Sequence, residues 1–141
     1  MMKINPYLNF NGQSEEAFKF YRSVFGGEFS ALQLFKEIPA SEQPMPKEEG
    51  NRIMHIALPI GDGNHLMGSD ISEKMGMKLT AGNNMYISLH PTSREEGERL
   101  FNQLSKGGKI EMKFEKMFWG DWFGSFTDKF SVAWMINYHK E

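Results

Sequence analysis

Asn5-Pro6-Tyr7-Leu8-Asn9-Phe10-Asn11 and Asn84-Met85-Tyr86-Ile87-Ser88-Leu89-His90 are the two stretches that decide the fold. Both alternate polar and apolar residues, the period of a half-buried strand. They align without gaps through Ser14 and Ser93, which makes the chain a repeat of about 80 residues. A helix follows each stretch. Ala17, Phe20, Tyr21, Val24 and Phe25 recur at helical spacing, and Gly97, Leu100, Phe101 and Leu104 match them once one residue is inserted. Ser14 and Ser93 read as N-caps, with Ser93 and Glu96 spaced as a capping box, and Gly26-Gly27 and Gly107-Gly108 supply the left-handed stops. Three strand segments follow each helix: Glu28–Ile38, Arg52–Ile60 and His65–Asp70, then Lys109–Met117, Asp121–Thr127 and Val132–Tyr138. The order βαβββ therefore occurs twice. It predicts an α+β domain over residues 1–141, with module one at about 3–70, a linker at about 71–83 and module two at about 84–138. Pro39–Asn51 is rich in Pro, Gly, Lys and Glu and reads as a mobile loop.

Composition narrows the function classes. With 141 residues, 40% of them hydrophobic, the chain can build one real core. Its 16 basic and 18 acidic residues are spread along the sequence, so no electrostatic stripe invites nucleic acid or an anionic membrane. No apolar run approaches bilayer length, and the first residues lack the pattern of a signal peptide, which predicts a cytoplasmic protein. The absence of cysteine removes disulfides, thiolate metal sites and cysteine nucleophiles, leaving His, carboxylates, amides and hydroxyls for any chemistry.

Alternation also assigns faces. Pro6, Leu8 and Phe10, with Met85, Ile87 and Leu89, form an apolar set expected to lie against the helices, joined by Met54, Ile56 and Leu58 and by Val132, Trp134 and Ile136. The opposite face then carries Asn5, Tyr7, Asn9, His55 and Ala57 from one module and Asn84, Tyr86, Ser88, His90, Ala133 and Met135 from the other. A polar face with this aromatic and methionine content suits the wall of a ligand cleft.

The opening Pro6-Tyr7-Leu8-Asn9-Phe10-Asn11-Gly12, the strand Met54-His55-Ile56-Ala57-Leu58 and the ending Met117-Phe118-Trp119-Gly120-Asp121-Trp122-Phe123-Gly124-Ser125-Phe126-Thr127 resemble PhnB-like proteins of the vicinal oxygen chelate superfamily, which also holds glyoxalases, bleomycin-resistance proteins and extradiol dioxygenases. The resemblance runs nearly end to end. It implies an open, U-shaped mixed sheet with helices on the convex face, a ligand cleft, and a homodimer. It also implies a divalent metal held by first and last strands of each module. The matching positions here are Asn5 and Asn84, the stretch His65–Met67 and the neighbourhood of Met135, a poor set for Zn, Ni or Fe(II). No metal residue is assigned and no cofactor is expected. A ubiquinone-methyltransferase label is common in this branch, and nothing in the sequence supports that chemistry.

His55 is the best candidate for catalysis, because it faces the expected cleft from a central strand and titrates near neutral pH. A structural imidazole bonded to a neighbouring strand is the other reading. Trp119, Trp122 and Phe123 beside Gly120 and Gly124 read either as a cavity lining or as core and interface packing. The expected ligand set is Asn5, Tyr7, Asn9, His55, Asn84, Tyr86, Ser88, Trp119, Trp122, Phe123 and Met135. Three functions remain open: a metal-free small-molecule binder, a metal-dependent lyase, isomerase or dioxygenase using His55 or His65, and a sequestration protein without chemistry.

Overall fold

The computed structural model describes residues 2–39, 42 and 46–140 and divides into two compact units between Thr80 and Ala81. The first runs β1 (Tyr7–Phe10), α1 (Ser14–Phe25), β2 (Ala31–Leu34), β3 (Ile53–Gly61) and β4 (Asn64–Asp70). The second repeats that order: β5 (Ile87–Leu89), α2 (Arg94–Leu104), β6 (Lys109–Lys116), β7 (Trp122–Thr127) and β8 (Ala133–Tyr138). Each unit is α+β, with one four-stranded mixed sheet. The strand orders are β1-β4-β3-β2 and β5-β8-β7-β6, with first and last strands parallel and the other pairs antiparallel. Among the described residues no helix is long and apolar enough to cross a membrane.

In the first unit α1 lays Ala17, Phe18, Tyr21 and Val24 onto β3 and β4. Phe18, which the helical spacing did not single out, is fully buried, whereas Phe20 and Phe25 are half-buried at the rim and in the last turn. Phe18 fits because Gly68 leaves it room: a Cβ there would sit 2.8 Å from the Phe18 ring and 2.7 Å from the Leu8 carbonyl oxygen. Gly124 does the same for α2, where a Cβ would meet the Phe101 ring at 2.7 Å. Burying a ring of this size contributes roughly 1.5–3 kcal/mol, so the close approach is worth a glycine in each sheet.

Two strand expectations are corrected. Met54 is not the core residue at the start of β3; Ile53 is, at 0% exposure. The ladder pairs Gln33 with His55 and Leu34 with Ile53, so Met54 is the extra residue of a bulge and alternation restarts beyond it. Met85 does not face α2 but is 77% exposed, because β5 is only three residues long and begins at Ile87. The expected strand Glu28–Ile38 shortens to Ala31–Leu34 and turns at Phe35–Glu37 into a 3-10 helix.

Ser14 is not the N-cap of α1. It is the first helical residue, and its buried hydroxyl has no partner among the described residues. The cap comes from another strand: Asp70 at the end of β4 accepts Gly12 N–H and Ser14 N–H on Oδ1, both at 3.0 Å, and Ile53 N–H on Oδ2 at 2.9 Å. Its charge also complements the positive helix end. Ser93, in contrast, caps α2 as expected, accepting from Glu96 N–H at 3.1 Å. The box is not reciprocal, because the Glu96 carboxylate turns to Arg99 instead. A second buried acid organises the β7–β8 turn. Asp128 accepts Phe130 N–H and Val132 N–H on Oδ1 and the Trp134 indole N–H on Oδ2 at 2.8 Å.

Of the expected loop Pro39–Asn51, residues 40, 41 and 43–45 lie outside the described residues. Its far end is pinned, since buried Glu49 accepts from the Ser72 hydroxyl at 2.8 Å and pairs with Arg52 Nε at 3.0 Å. Arg52 also reaches the Asn11 side chain and the Ile71 carbonyl, tying the start of the inter-unit segment to β1 and β3.

The two serines separate by mutation. Ser93→Ala should lose about 1 kcal/mol of unfolding free energy with its cap, and Ser14→Ala should be neutral or gain up to about 1 kcal/mol by removing a buried unpaired hydroxyl. Urea melts showing a comparable loss at Ser14 would return the cap to that residue.

Candidate functional site

Strand pairing fixes which side chains share the helix-free face of each sheet. In the first unit Tyr7 pairs with Met67 and Met67 with Ala57, which in turn pairs with Ala31. Gly68, in the alternate row, is the residue whose Cβ position points at Phe18, so the Tyr7 row faces away from α1. His55, two residues from Ala57, lies on the same face. Tyr7 crosses over β4 to meet it, with hydroxyl and Nδ1 3.2 Å apart and the rings stacked at 5.7 Å between centroids and 20° between planes. Small Ala57 and flexible Met67 leave the space for this crossing. Ser69 donates to Asn9 Oδ1 at 3.4 Å one row further on, and Asn5 Oδ1 accepts His65 N–H at 3.0 Å. His65 Nδ1 lies 3.2 Å from the Gly63 carbonyl, a contact in which only an N–H can donate.

The second unit presents a comparable face. Ser88, Met135, Ser125 and Met112 form one cross-strand row, and Glu115, Phe123 and Asn137 the next. Tyr86 donates its hydroxyl to Glu111, with 2.9 Å to each carboxylate oxygen. Tyr86 precedes edge strand β5, while Glu111 belongs to the opposite edge β6. In a flat sheet three strand spacings would separate these edges by about 14 Å. The two long side chains and the hydrogen bond between them span that distance across the helix-free face. The carboxylate raises the Tyr86 phenol above its ordinary pKa, first through the hydrogen bond and then through desolvation, so the phenol stays protonated as the donor. At the far end Asp121 accepts from Asn137 at 3.2 Å and contacts His139 Nδ1 at 2.5 Å. The His139 hydrogen bond, followed by that of Asn137, holds the Asp121 carboxyl below the usual range.

Of the residues expected from sequence, the structure brings together Tyr7, His55 and Asn9 on one face, with Asn5 at its margin. On the other unit it brings together Tyr86, Ser88, Phe123 and Met135. It separates Trp122 from Phe123. Trp122 lies in the alternate row with Gly124, its ring tilted against Phe114 at 5.8 Å and covered by the Arg94 guanidinium from α2 at 5.2 Å. Trp119 sits in the β6–β7 turn beside Phe118, which is 98% exposed, and Asn84 is exposed ahead of β5. Residues missed from sequence are Met67, Ser69, Met112, Glu111 and the Asp121–His139 pair. Alternation along β4 could have found the first two. Glu111 is concealed by a bulge between Ile110 and Met112 that breaks the period of β6.

The metal that the fold class often holds does not match these donors. On the helix-free faces the pairs where first and last strands meet are Tyr7 with Met67, Asn9 with Ser69 and Ser88 with Met135, and the Asn5 amide oxygen already serves His65. Phenol, thioether and hydroxyl are weak ligands for borderline divalent ions. The described residues include no group of three or more His, Asp or Glu placed to hold one.

Comparison with known proteins converges. The family model for 3-demethylubiquinone-9 3-methyltransferase matches residues 2–137. Protein YjdN of Escherichia coli (strain K12) is 34% identical over 143 residues, spanning 99% of this chain and 97% of its own. Protein PA1353 from Pseudomonas aeruginosa shares the structure with a TM-score of 0.85 at 38% identity, covering all of both chains. A PhnB protein from Bacillus cereus gives 0.77 at 24% identity over 98% of this chain and 100% of its own. A glyoxalase-related enzyme from Fulvimarina pelagi gives 0.63 at 15% identity over 98% and 89%. These last two bear on fold alone. The chain is thus a member of the 3-demethylubiquinone-9 3-methyltransferase family, with a fold shared by a glyoxalase-related enzyme.

Proposed function

We propose that the protein binds a small organic molecule on the helix-free face of its first module and does so without a resident divalent metal. The observation that carries this reading is the Tyr7–His55 pair, two polar rings stacked on a face that no helix covers. Core packing does not demand them there. Ala57 and Met67 give the pair an apolar floor, and Asn9 with Ser69 adds an amide and a hydroxyl within the same face. A ring-bearing ligand with one or two hydrogen-bonding groups suits that combination. If the ligand reacts, His55 is the candidate general acid or base; if it does not, the protein sequesters it. The methyltransferase name of the family adds no step, because Gly61 and Gly63 lie in the β3–β4 hairpin rather than ahead of a helix, where a nucleotide-bearing donor would be cradled.

The same reading places the protein in the cytoplasm as a homodimer. Met2, Ile4, Met85 and Phe118 are each more than three-quarters exposed, apolar surface that a second copy would cover.

Three measurements check this account. An untagged, dialysed preparation should contain far less than one equivalent of Zn, Ni, Mn or Fe and should scatter light as about twice 16.3 kDa. Stoichiometric retained metal would favour the metal-dependent lyase, isomerase or dioxygenase instead, and a monomer would remove the dimer. Protein-observed NMR screening should yield ring compounds that shift the amides of Tyr7, Asn9, His55 and Ser69, and His55→Ala should weaken them at least about tenfold. Hits that bind His55→Ala as tightly as wild type would refute the site.

A further inference from the structure

Asn11-Gly12, in the turn between β1 and α1, is the only Asn-Gly pair in the chain. An asparagine ahead of glycine is self-reactive, because glycine has no Cβ to shield its backbone nitrogen from the preceding side-chain amide. The Gly12 nitrogen loses its proton and attacks Cγ of Asn11; a C–N bond forms, and the side-chain nitrogen leaves as ammonia. Water then opens the five-membered imide at either carbonyl, leaving aspartate or isoaspartate at position 11. One water is consumed and one ammonia released, so the step needs no oxidant and no further reactant. It does need a free Gly12 nitrogen and an Asn11 amide able to turn onto it.

The fold withholds both. Gly12 N–H donates to Oδ1 of buried Asp70 at 3.0 Å. A carboxylate this close favours the protonated amide and opposes the negative charge that would form on its nitrogen. The Asn11 amide is held at both ends. Its Oδ1 accepts from Arg52 Nη1 at 2.8 Å, and its Nδ2 donates to Glu73 Oε1 at 3.1 Å. Arg52 is anchored in turn by Glu49 and the Ile71 carbonyl, and its Nη2 lies 3.2 Å from where a Cβ of residue 12 would sit. Asn11 and Gly12 are both exposed, so burial does not shield them from water. Their protection consists of hydrogen bonds, and it lasts only while Asp70 caps α1.

We propose that Asn11 is a conditional self-modification site: it stays an amide while Asp70 holds Gly12 N–H, and it converts to aspartate or isoaspartate when that cap opens. The product changes the fold around it. An aspartate keeps its bond to Arg52, but it sets an oxygen where the amide had donated to Glu73. Two carboxylates then meet, and the tie between the β1–α1 turn and the 3-10 turn Glu73–Met75 is lost. Isoaspartate also adds a carbon to the backbone and draws Gly12 N–H away from Asp70. Hydrolysis is one-way, so the site records local opening of the first module. It stands apart from the Tyr7–His55 face and needs no ligand.

The test incubates the full chain at mildly alkaline pH and follows Asn11 by mass spectrometry of the tryptic peptide Ile4–Lys19, with the same synthetic peptide as reference. Folded wild type should convert at least about tenfold more slowly than the free peptide, and folded Asp70→Asn at least about tenfold faster than wild type. Ser93→Ala, which loosens the cap of α2 in the other unit, should leave the Asn11 rate unchanged. If Asp70→Asn does not fold, wild type in urea below its midpoint decides: Asn11 conversion should rise in parallel with hydrogen exchange of Gly12 N–H. Asn11→Asp, which installs the product, should speed hydrogen exchange across Ser72–Gly76, and adding Glu73→Gln should restore it. The proposal is overturned if folded wild type converts at the peptide's rate, if folded Asp70→Asn is no faster than wild type, or if Ser93→Ala accelerates Asn11 as much as Asp70→Asn does. Conversion that does not follow Gly12 exchange, or an Asn11→Asp chain whose Ser72–Gly76 exchange matches wild type, would overturn it equally.

Discussion

The carboxylate of Asp70 is the constraint on which the first module rests. It is 3% exposed and accepts three backbone N–H groups from three places: the turn before α1, the first residue of α1 and the first residue of β3. Each of those donors is one that secondary structure itself leaves without a partner. Removing the acid would strand two buried donors and a part-buried third, and each stranded buried donor costs about 1–3 kcal/mol. The consequence reaches the functional face, because β4 carries Met67 and Ser69 and β3 carries His55. The position of His55 under Tyr7 is thus set from the opposite side of the sheet. In the second module Asp128 performs a related task, joining the β7–β8 turn to the indole of buried Trp134 and so fixing the strand that presents Met135 and Asn137.

Much of this architecture is legible in the sequence because it is periodic. The repeat, both helices, the order of elements along the chain and the glycine stop of α1 follow from spacing alone, whereas α2 is capped by Ser105 and Gly107 comes two residues later; Ile56, Leu58, Trp134 and Ile136 fall in the core where alternation puts them. Departures from the pattern sit where the period is interrupted. A bulge exchanges Met54 for Ile53 and another turns Glu111 onto the helix-free face, and an extra residue in a ladder leaves no mark in composition. The role of Ser14 was hidden for a different reason, since its cap arrives from Asp70, 56 residues away in the chain. Trp122 and Phe123 are adjacent, and adjacency in a strand means opposite faces, a rule that a cluster of aromatic letters conceals.

The two helix-free faces explain how one fold can serve unrelated functions. The scaffold requires only that the helix-facing rows be apolar and close-packed. The other rows are under no such demand, and here they hold phenols, imidazoles, carboxylates and thioethers. Family membership fixes the scaffold; what is bound follows from those rows.

The division between a core face and a ligand face is most directly tested by urea denaturation of Ile56→Ala, Trp134→Ala, His55→Ala and Tyr86→Phe. Ile56 and Trp134 are fully buried, so their truncation should cost on the order of 2–5 kcal/mol, while His55→Ala and Tyr86→Phe should each cost less than about 1 kcal/mol. If His55→Ala unfolds the protein while Ile56→Ala is tolerated, the faces are reversed and the site assigned to them is wrong.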